Sequence, residues 1–180
     1  MQALDKVIFQ IVRNFTYLGN MLPQGVICFI LLFIDFKSAF YVTGLWGWSY
    51  FLNQIIKVAV KRPRPDASKH RVHVSGYSFP SGHSLTSFTI YFSIAKYFHP
   101  EPLMLYTLLS LPFLLGLSRV YLRVHNVSDV IGGWAIAYIY LLLCEDFLNY
   151  AHSYFYKYVY AVFKFVLEFW DLILKALHLS

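Results

Sequence analysis

Apolar residues gather into five blocks along the chain, roughly Leu18–Phe36, Ser38–Val60, Ser81–Phe98, Pro102–Leu117 and Asp129–Tyr150. A helix crossing a bilayer needs about 20 mostly apolar residues, with a lower limit near 17. The blocks approach or pass that length, the fourth by borrowing a turn from its flanks. The links at Lys37 and around His99–Pro102 are tight, so neighbouring helices are expected to run antiparallel. One long polar connection interrupts the series, Lys61–Pro80, and its prolines stop the preceding helix.

Both ends carry a different pattern. Gln2, Lys6, Gln10, Arg13 and Tyr17 fall on one helical stripe, opposite Val7, Ile8, Ile11, Val12 and Phe15. That is an amphipathic helix suited to lie in the membrane interface. Lys157, Lys164, Glu168, Asp171, Lys175 and His178 recur at steps of three, four or seven. A charged stripe in lipid is expensive, so this helix is expected in the interface or with its stripe against protein; a sixth span is the alternative. The expected architecture is all-α, a polytopic membrane bundle of five to six transmembrane helices plus the amphipathic N-terminal helix. A single domain, 1–180, divides into an interfacial helix (1–17), a core (18–150) and a C-terminal helix (155–178).

Composition sharpens this picture. The chain is 58% hydrophobic and 13% charged, against about a quarter charged in soluble domains. Its net charge of +6 sits beside apolar segments, which favours phosphate groups at a membrane surface over nucleic acid. Aromatic residues, 20% of the chain, suit the membrane–water interface. Cys28 and Cys144 both lie inside apolar runs and read as packed thiols rather than a disulfide. The first residues lack an apolar h-region and a small-residue cleavage site, so no cleaved signal peptide is expected.

Alternating helices place the loop after the second block, the start of the third and the link from fourth to fifth on one face of the membrane. Each carries a polar cluster. Lys57 and Arg64, the latter followed by Pro65, suit an anion, the arginine as a planar fork matching phosphate oxygens; a positive membrane flank is the plainer reading. Pro80-Ser81-Gly82-His83 opens a helix whose free N–H groups face an anion, with His83 projecting from the first turn. An ordinary helix start would look the same. Arg119 ends the fourth block, and His125 and Asp129 stand four residues apart. That spacing lets a carboxylate hold one imidazole nitrogen and leaves the other free as nucleophile or base. A capping pair is the alternative.

Taken together, Lys-x6-Arg-Pro, Pro-Ser-Gly-His and Ser-Arg-x5-His-x3-Asp appear in order from Lys57 to Asp129. The set resembles the three-part signature of the type 2 phosphatidic acid phosphatase (PAP2, lipid phosphate phosphatase) superfamily. The resemblance implies that Lys57, Arg64 and Arg119 hold phosphate oxygens, with Ser81 and the Gly82 N–H adding hydrogen bonds. It implies that His125 attacks phosphorus to give a phosphohistidine, that Asp129 orients His125, and that His83 protonates the leaving oxygen and then activates water. No cofactor and no metal are implied, since fixed cations already supply the charge that Mg2+ would bring. Against the family pattern, no span is expected ahead of the amphipathic helix, and an extra C-terminal helix is expected after the fifth block.

The implied activity is hydrolysis of a phosphomonoester or diphosphate of an envelope lipid. Lipid A 1-phosphate, phosphatidylglycerophosphate and undecaprenyl diphosphate are the candidate substrates. The implied location is the bacterial inner membrane, with the site facing the periplasm. Sequence does not rank the lipids or give an oligomeric state; lipid substrate and bilayer are the expected partners, nucleic acid is not. Lys61, Tyr77 and Arg123 are candidate head-group contacts, and Arg62, Lys69 and Arg71 add positive potential or a solvated loop face. His70 and His73 form a poor metal pair, lacking a third ligand at sensible spacing, while His99, His152 and His178 carry no signal. Two other readings remain: vanadium-haloperoxidase-like oxidation, which uses the same anion pocket in soluble enzymes, and a non-catalytic lipid binder or transporter.

Overall fold

The computed structural model describes the backbone of residues 3–176 and the side chains of 3–143 and 156–175. His178 therefore lies outside the described residues, as do the side chains of Cys144 and His152. Six helices follow in order: α1 (Ala3–Thr16), α2 (Met21–Leu31), α3 (Phe36–Val60), α4 (Gly82–Phe98), α5 (Pro102–Tyr121) and α6 (Val127–Ala176). Single 3-10 turns occupy Tyr17–Gly19 and Ala67–Lys69. There is no strand among the described residues.

The middle of the bundle is α4, packed against α3, α5 and α6. Nearly all of its side chains from Ser84 to Ala95 are buried. Many are small and polar, and the two threonines among them bond within the helix: Thr86 Oγ1 donates to the Gly82 carbonyl and Thr89 Oγ1 to that of Leu85, each at 3.0 Å. Small side chains let neighbouring helices come close. The approach is tightest where α6 begins. A Cβ on Gly133 would stand 2.8 Å from Ser84 Cβ and 2.9 Å from the Ser81 carbonyl oxygen, so only glycine allows the two helix starts to lie flush.

An apolar core of Cys28, Val42, Ile90, Tyr91, Ile94, Leu108 and Leu115 joins α2, α3, α4 and α5. One buried polar hub crosses it. Gln24 accepts from Trp46 Nε1 at 2.7 Å and donates to Ser87 Oγ at 2.9 Å, tying three helices. Interhelical bonds of this kind contribute about 0.6–2 kcal/mol each. The outer surface is apolar instead: Leu22, Phe29, Phe51, Leu103 and Leu143 are each more than 60% exposed.

Three features differ from the expected elements. The block Leu18–Phe36 yields only the 11-residue α2, because Asp35 caps a new helix by accepting from the Lys37 N–H at 3.1 Å. The block ending at Tyr150 and the C-terminal helix are one 50-residue helix, α6. No glycine or proline occurs between Trp134 and Ala176 to break it. Finally, among the described residues, α5 is the one helix both long and apolar enough to cross a membrane by length and composition. The polar residues that α3 and α4 turn inward lower their average.

Candidate active site

Local capping holds the reactive segments in place. Ser81 is the N-cap of α4, its Oγ accepting from the Ser84 N–H at 3.4 Å. Asp129 sits on the first turn of α6, and its Oδ2 reaches back to accept from the Asn126 N–H at 2.8 Å, half of a capping box. The two helix starts are then tied together, because Ser81 N–H donates to the Asp129 carbonyl at 2.9 Å.

At this end of the bundle lies a cavity of about 410 Å3, lined by Arg13, Thr16, Tyr17, Asn20, Lys57, Arg64, residues 72–75, Gly82, His83, Arg119 and His125. Three sequence-distant clusters therefore share one hollow. Lys57 Nζ lies 3.9 Å from where a Cβ on Gly82 would stand. The lining holds four cations, three histidines and no carboxylate. An anion is the ligand such a wall suits.

His125 is 5% exposed and Asp129 is fully buried. Arg64 Nη1 is 3.2 Å from His125 Nε2 and also donates to the Val124 carbonyl at 2.9 Å. A guanidinium can only donate, so Nε2 must be the acceptor and the proton must sit on Nδ1. The unprotonated nitrogen thus faces the cavity cations. Nδ1 is 3.5 Å from Asp129 Oδ2, an ion-pair separation rather than a made hydrogen bond, and it has no hydrogen-bond partner. Burial, followed by the charges of Arg64, Arg119 and Lys57, pushes the His125 pKa far below the ordinary imidazole range. His125 is neutral at physiological pH. Burial also lowers the Arg64 pKa, and Asp129 partly offsets it; the guanidinium stays charged.

His83 stands across the cavity, its Nε2 buried without a partner. Arg119, 6% exposed, donates from Nη1 to Thr16 Oγ1 at 3.2 Å. Most of the remaining sequence candidates lie elsewhere. Ser81 and Asp129 sit behind the cavity wall rather than in it. Lys61 is the left-handed cap of α3, with φ 52°. Tyr77 and Arg123 do not line the cavity, and Arg123 also has positive φ, 59°. His99 caps the other end of α4. His73 lines the cavity, whereas His70 faces a second hollow across the 72–75 segment.

Sequence names Arg62 only as positive potential or a loop face, and it does not single out Thr16 or Gly19. Arg62 Nη1 donates to Asp129 Oδ1 at 2.9 Å and to Ser128 Oγ at 2.8 Å, so the carboxylate behind His125 is held from both oxygens. Thr16 ends α1 inside the core, where Ser118 Oγ donates to its hydroxyl at 2.8 Å. Gly19 packs on the His83 ring so closely that a Cβ there would overlap His83 Cδ2. The one legible hint was spacing. Arg13, Tyr17 and Asn20, at i, i+4 and i+7, continue the polar stripe of α1, and all three line the cavity.

Known proteins resemble this chain in sequence and fold. Phosphatidylglycerophosphatase B of Bacillus subtilis (strain 168) is 34% identical over 152 residues, covering 77% of this chain and 74% of the relative. The crystal structure of a transmembrane PAP2-type phosphatidylglycerolphosphate phosphatase from Bacillus subtilis superposes with a TM-score of 0.66 at 29% identity, over 79% of this chain and 77% of that one. Aquifex aeolicus LpxE gives 0.65 at 23% identity, over 81% and 88%, a likeness of fold. Residues 37–153, which carry α3 to the first half of α6 and every motif cation, match the sequence model of the PAP2 superfamily, and the chain belongs to that superfamily.

Proposed function

We propose that this protein is an integral membrane lipid phosphatase that works through a phosphohistidine intermediate. The observation that carries the reading is the orientation of His125. Its neutral ring turns the Nε2 lone pair into a carboxylate-free cavity shared with Lys57, Arg64, His83 and Arg119. Four cations there supply charge without a metal. Similarity to phosphatidylglycerophosphatase B supports a lipid phosphate as substrate.

In the first step Nε2 forms a bond to phosphorus while the bond to the leaving oxygen breaks. His83 supplies the proton that this oxygen takes up. The Nδ1 proton of His125 faces Asp129, which stabilises the positive ring. In the second step His83 takes a proton from water, the water oxygen bonds to phosphorus, and His125 leaves as a neutral imidazole. Splitting one displacement into two lowers each barrier, and the cations, with the Gly82 N–H, stabilise charge on the transferring group.

The apolar outer surface supports a bundle that sits in a bilayer with the cavity near the interface beside α1. The exposed Leu4, Val7 and Ile11 of that helix suit the head-group boundary. A bacterial inner membrane with the mouth on the periplasmic side follows from the family resemblance. The test is phosphate release from lipid phosphates by the purified protein in detergent, with and without chelator. His125→Ala should lose activity by at least about 10⁴-fold, in line with removal of a covalent nucleophile, and chelator should leave the rate unchanged. Full activity in His125→Ala would sink the assignment.

A further inference from the structure

The motif cations account for one phosphoryl group, yet the cavity has a fourth cation outside the motifs. Arg13 projects from α1 into the same hollow as His83 and His125. It makes no ion pair among the described residues. Its position in the reaction follows from its neighbours. Gly19 lies directly against the His83 ring, and Thr16 binds Ser118 and Arg119. The segment from Arg13 to Asn20 therefore forms the wall beside His83. In the proposed chemistry His83 protonates the leaving oxygen, so that wall is where the leaving group sits. Arg13 is one turn before Thr16 on it, with Tyr17 and Asn20 completing a polar strip.

An arginine on the leaving-group side has little to do for an alcohol without charge. It matches a phosphate, through its planar fork. We infer that Arg13 forms a second anion subsite, and that the preferred substrate is a lipid whose leaving group itself carries a phosphate. That phosphate is either bonded directly to the transferred group, as in a lipid diphosphate, or one short linker away, as in phosphatidylglycerophosphate. A lipid monophosphate with a neutral leaving alcohol lacks the contact. The exposed apolar face of α1 opposite Arg13 sets the subsite at head-group depth, where such a phosphate lies. This inference rests on the phosphatase reading.

The experiment compares kcat/KM for a polyprenyl diphosphate, phosphatidylglycerophosphate and phosphatidic acid in the intact protein, Arg13→Gln and Arg13→Lys. Arg13 is exposed, and detergent thermal unfolding checks that the variants fold. The expected result is a preference for one of the two phosphate-bearing leaving groups over phosphatidic acid. Arg13→Gln should shrink that preference about tenfold, and Arg13→Lys should restore part of it. The lipid whose ratio falls identifies which of the two spacings the subsite fits. Equal losses on all three lipids, or ratios unchanged within twofold, would overturn the subsite while leaving the phosphatase standing. No release from any of the three by the intact protein would overturn both.

Discussion

The two terminal helices look alike as sequence and behave differently in the fold. Both α1 and the second half of α6 carry a polar stripe against an apolar face. Polar side chains of α1 and of the turn that follows it reach into the molecule. Asp5 pairs with Arg71 at 3.2 Å, and Arg71 in turn bonds Tyr121 and stacks over its ring. Thr16 takes bonds from Ser118 and Arg119, and Arg13, Tyr17 and Asn20 line the cavity. The charges of the α6 tail answer one another instead, Lys164 with Glu168 at 3.6 Å and Lys175 with Asp171 at 2.7 Å. Its contacts with the bundle are aromatic, such as Phe163 on Phe36 at 4.4 Å and Tyr156 near Phe40 at 6.1 Å. The difference is that α1 forms part of the cavity wall, whereas the tail is an attachment to the α2–α3 corner. An amphipathic pattern reports that a polar stripe exists, and says nothing of what it will face.

The sharpest way to break this contrast is at Gly19. Gly19→Val puts branched carbon into the His83 ring. Displacing a catalytic group by about 1 Å costs on the order of 10²-fold, so kcat should fall by about that factor while the helical signal in circular dichroism persists. A rate within threefold of the intact protein would show that the turn after α1 does not position His83.

Thr16→Val is next. It removes the hydroxyl that bonds Ser118 and accepts from Arg119. Ser118 keeps the Leu115 carbonyl at 2.6 Å, but a buried guanidinium loses a partner. Unfolding in detergent should show a loss of about 1–3 kcal/mol, and phosphate release should drop about tenfold. Thr16→Ser should recover most of both.

Acid also separates the two regions. The folded pKa of His125 lies below the unfolded value of about 6.5. As pH falls below 6.5 the unfolded chain binds a proton that the folded chain refuses, so stability declines. The slope approaches about 1.4 kcal/mol per pH unit for this one group. Thermal unfolding between pH 7.5 and 5.5 measures it, and His125→Gln should flatten the curve. The smallest effect belongs to the tail: Lys175→Gln should cost no more than about 0.5 kcal/mol and leave kcat/KM unchanged. A change in rate there would make the tail part of the site after all.

Helix content and the three polar clusters were legible in the sequence because they depend on local spacing. Lys57, His83, Arg119 and His125 could be placed at one end of the bundle by counting alternating helices, and the cavity joins them. The break expected between the fifth block and the C-terminal helix failed for an equally local reason, the absence of any glycine or proline there. What surrounds the site was not legible. Thr16 and Ser118 are 102 positions apart, and Arg62 and Asp129 are 67. Gly19 falls at the start of the first apolar block with no sign of the His83 ring set against it, and Arg13 is one member of a polar stripe until the cavity opens beside it. Periodicity carries the distance along a helix. Which side chains meet across helices is settled by close packing among segments far apart in the chain, and no spacing rule encodes that.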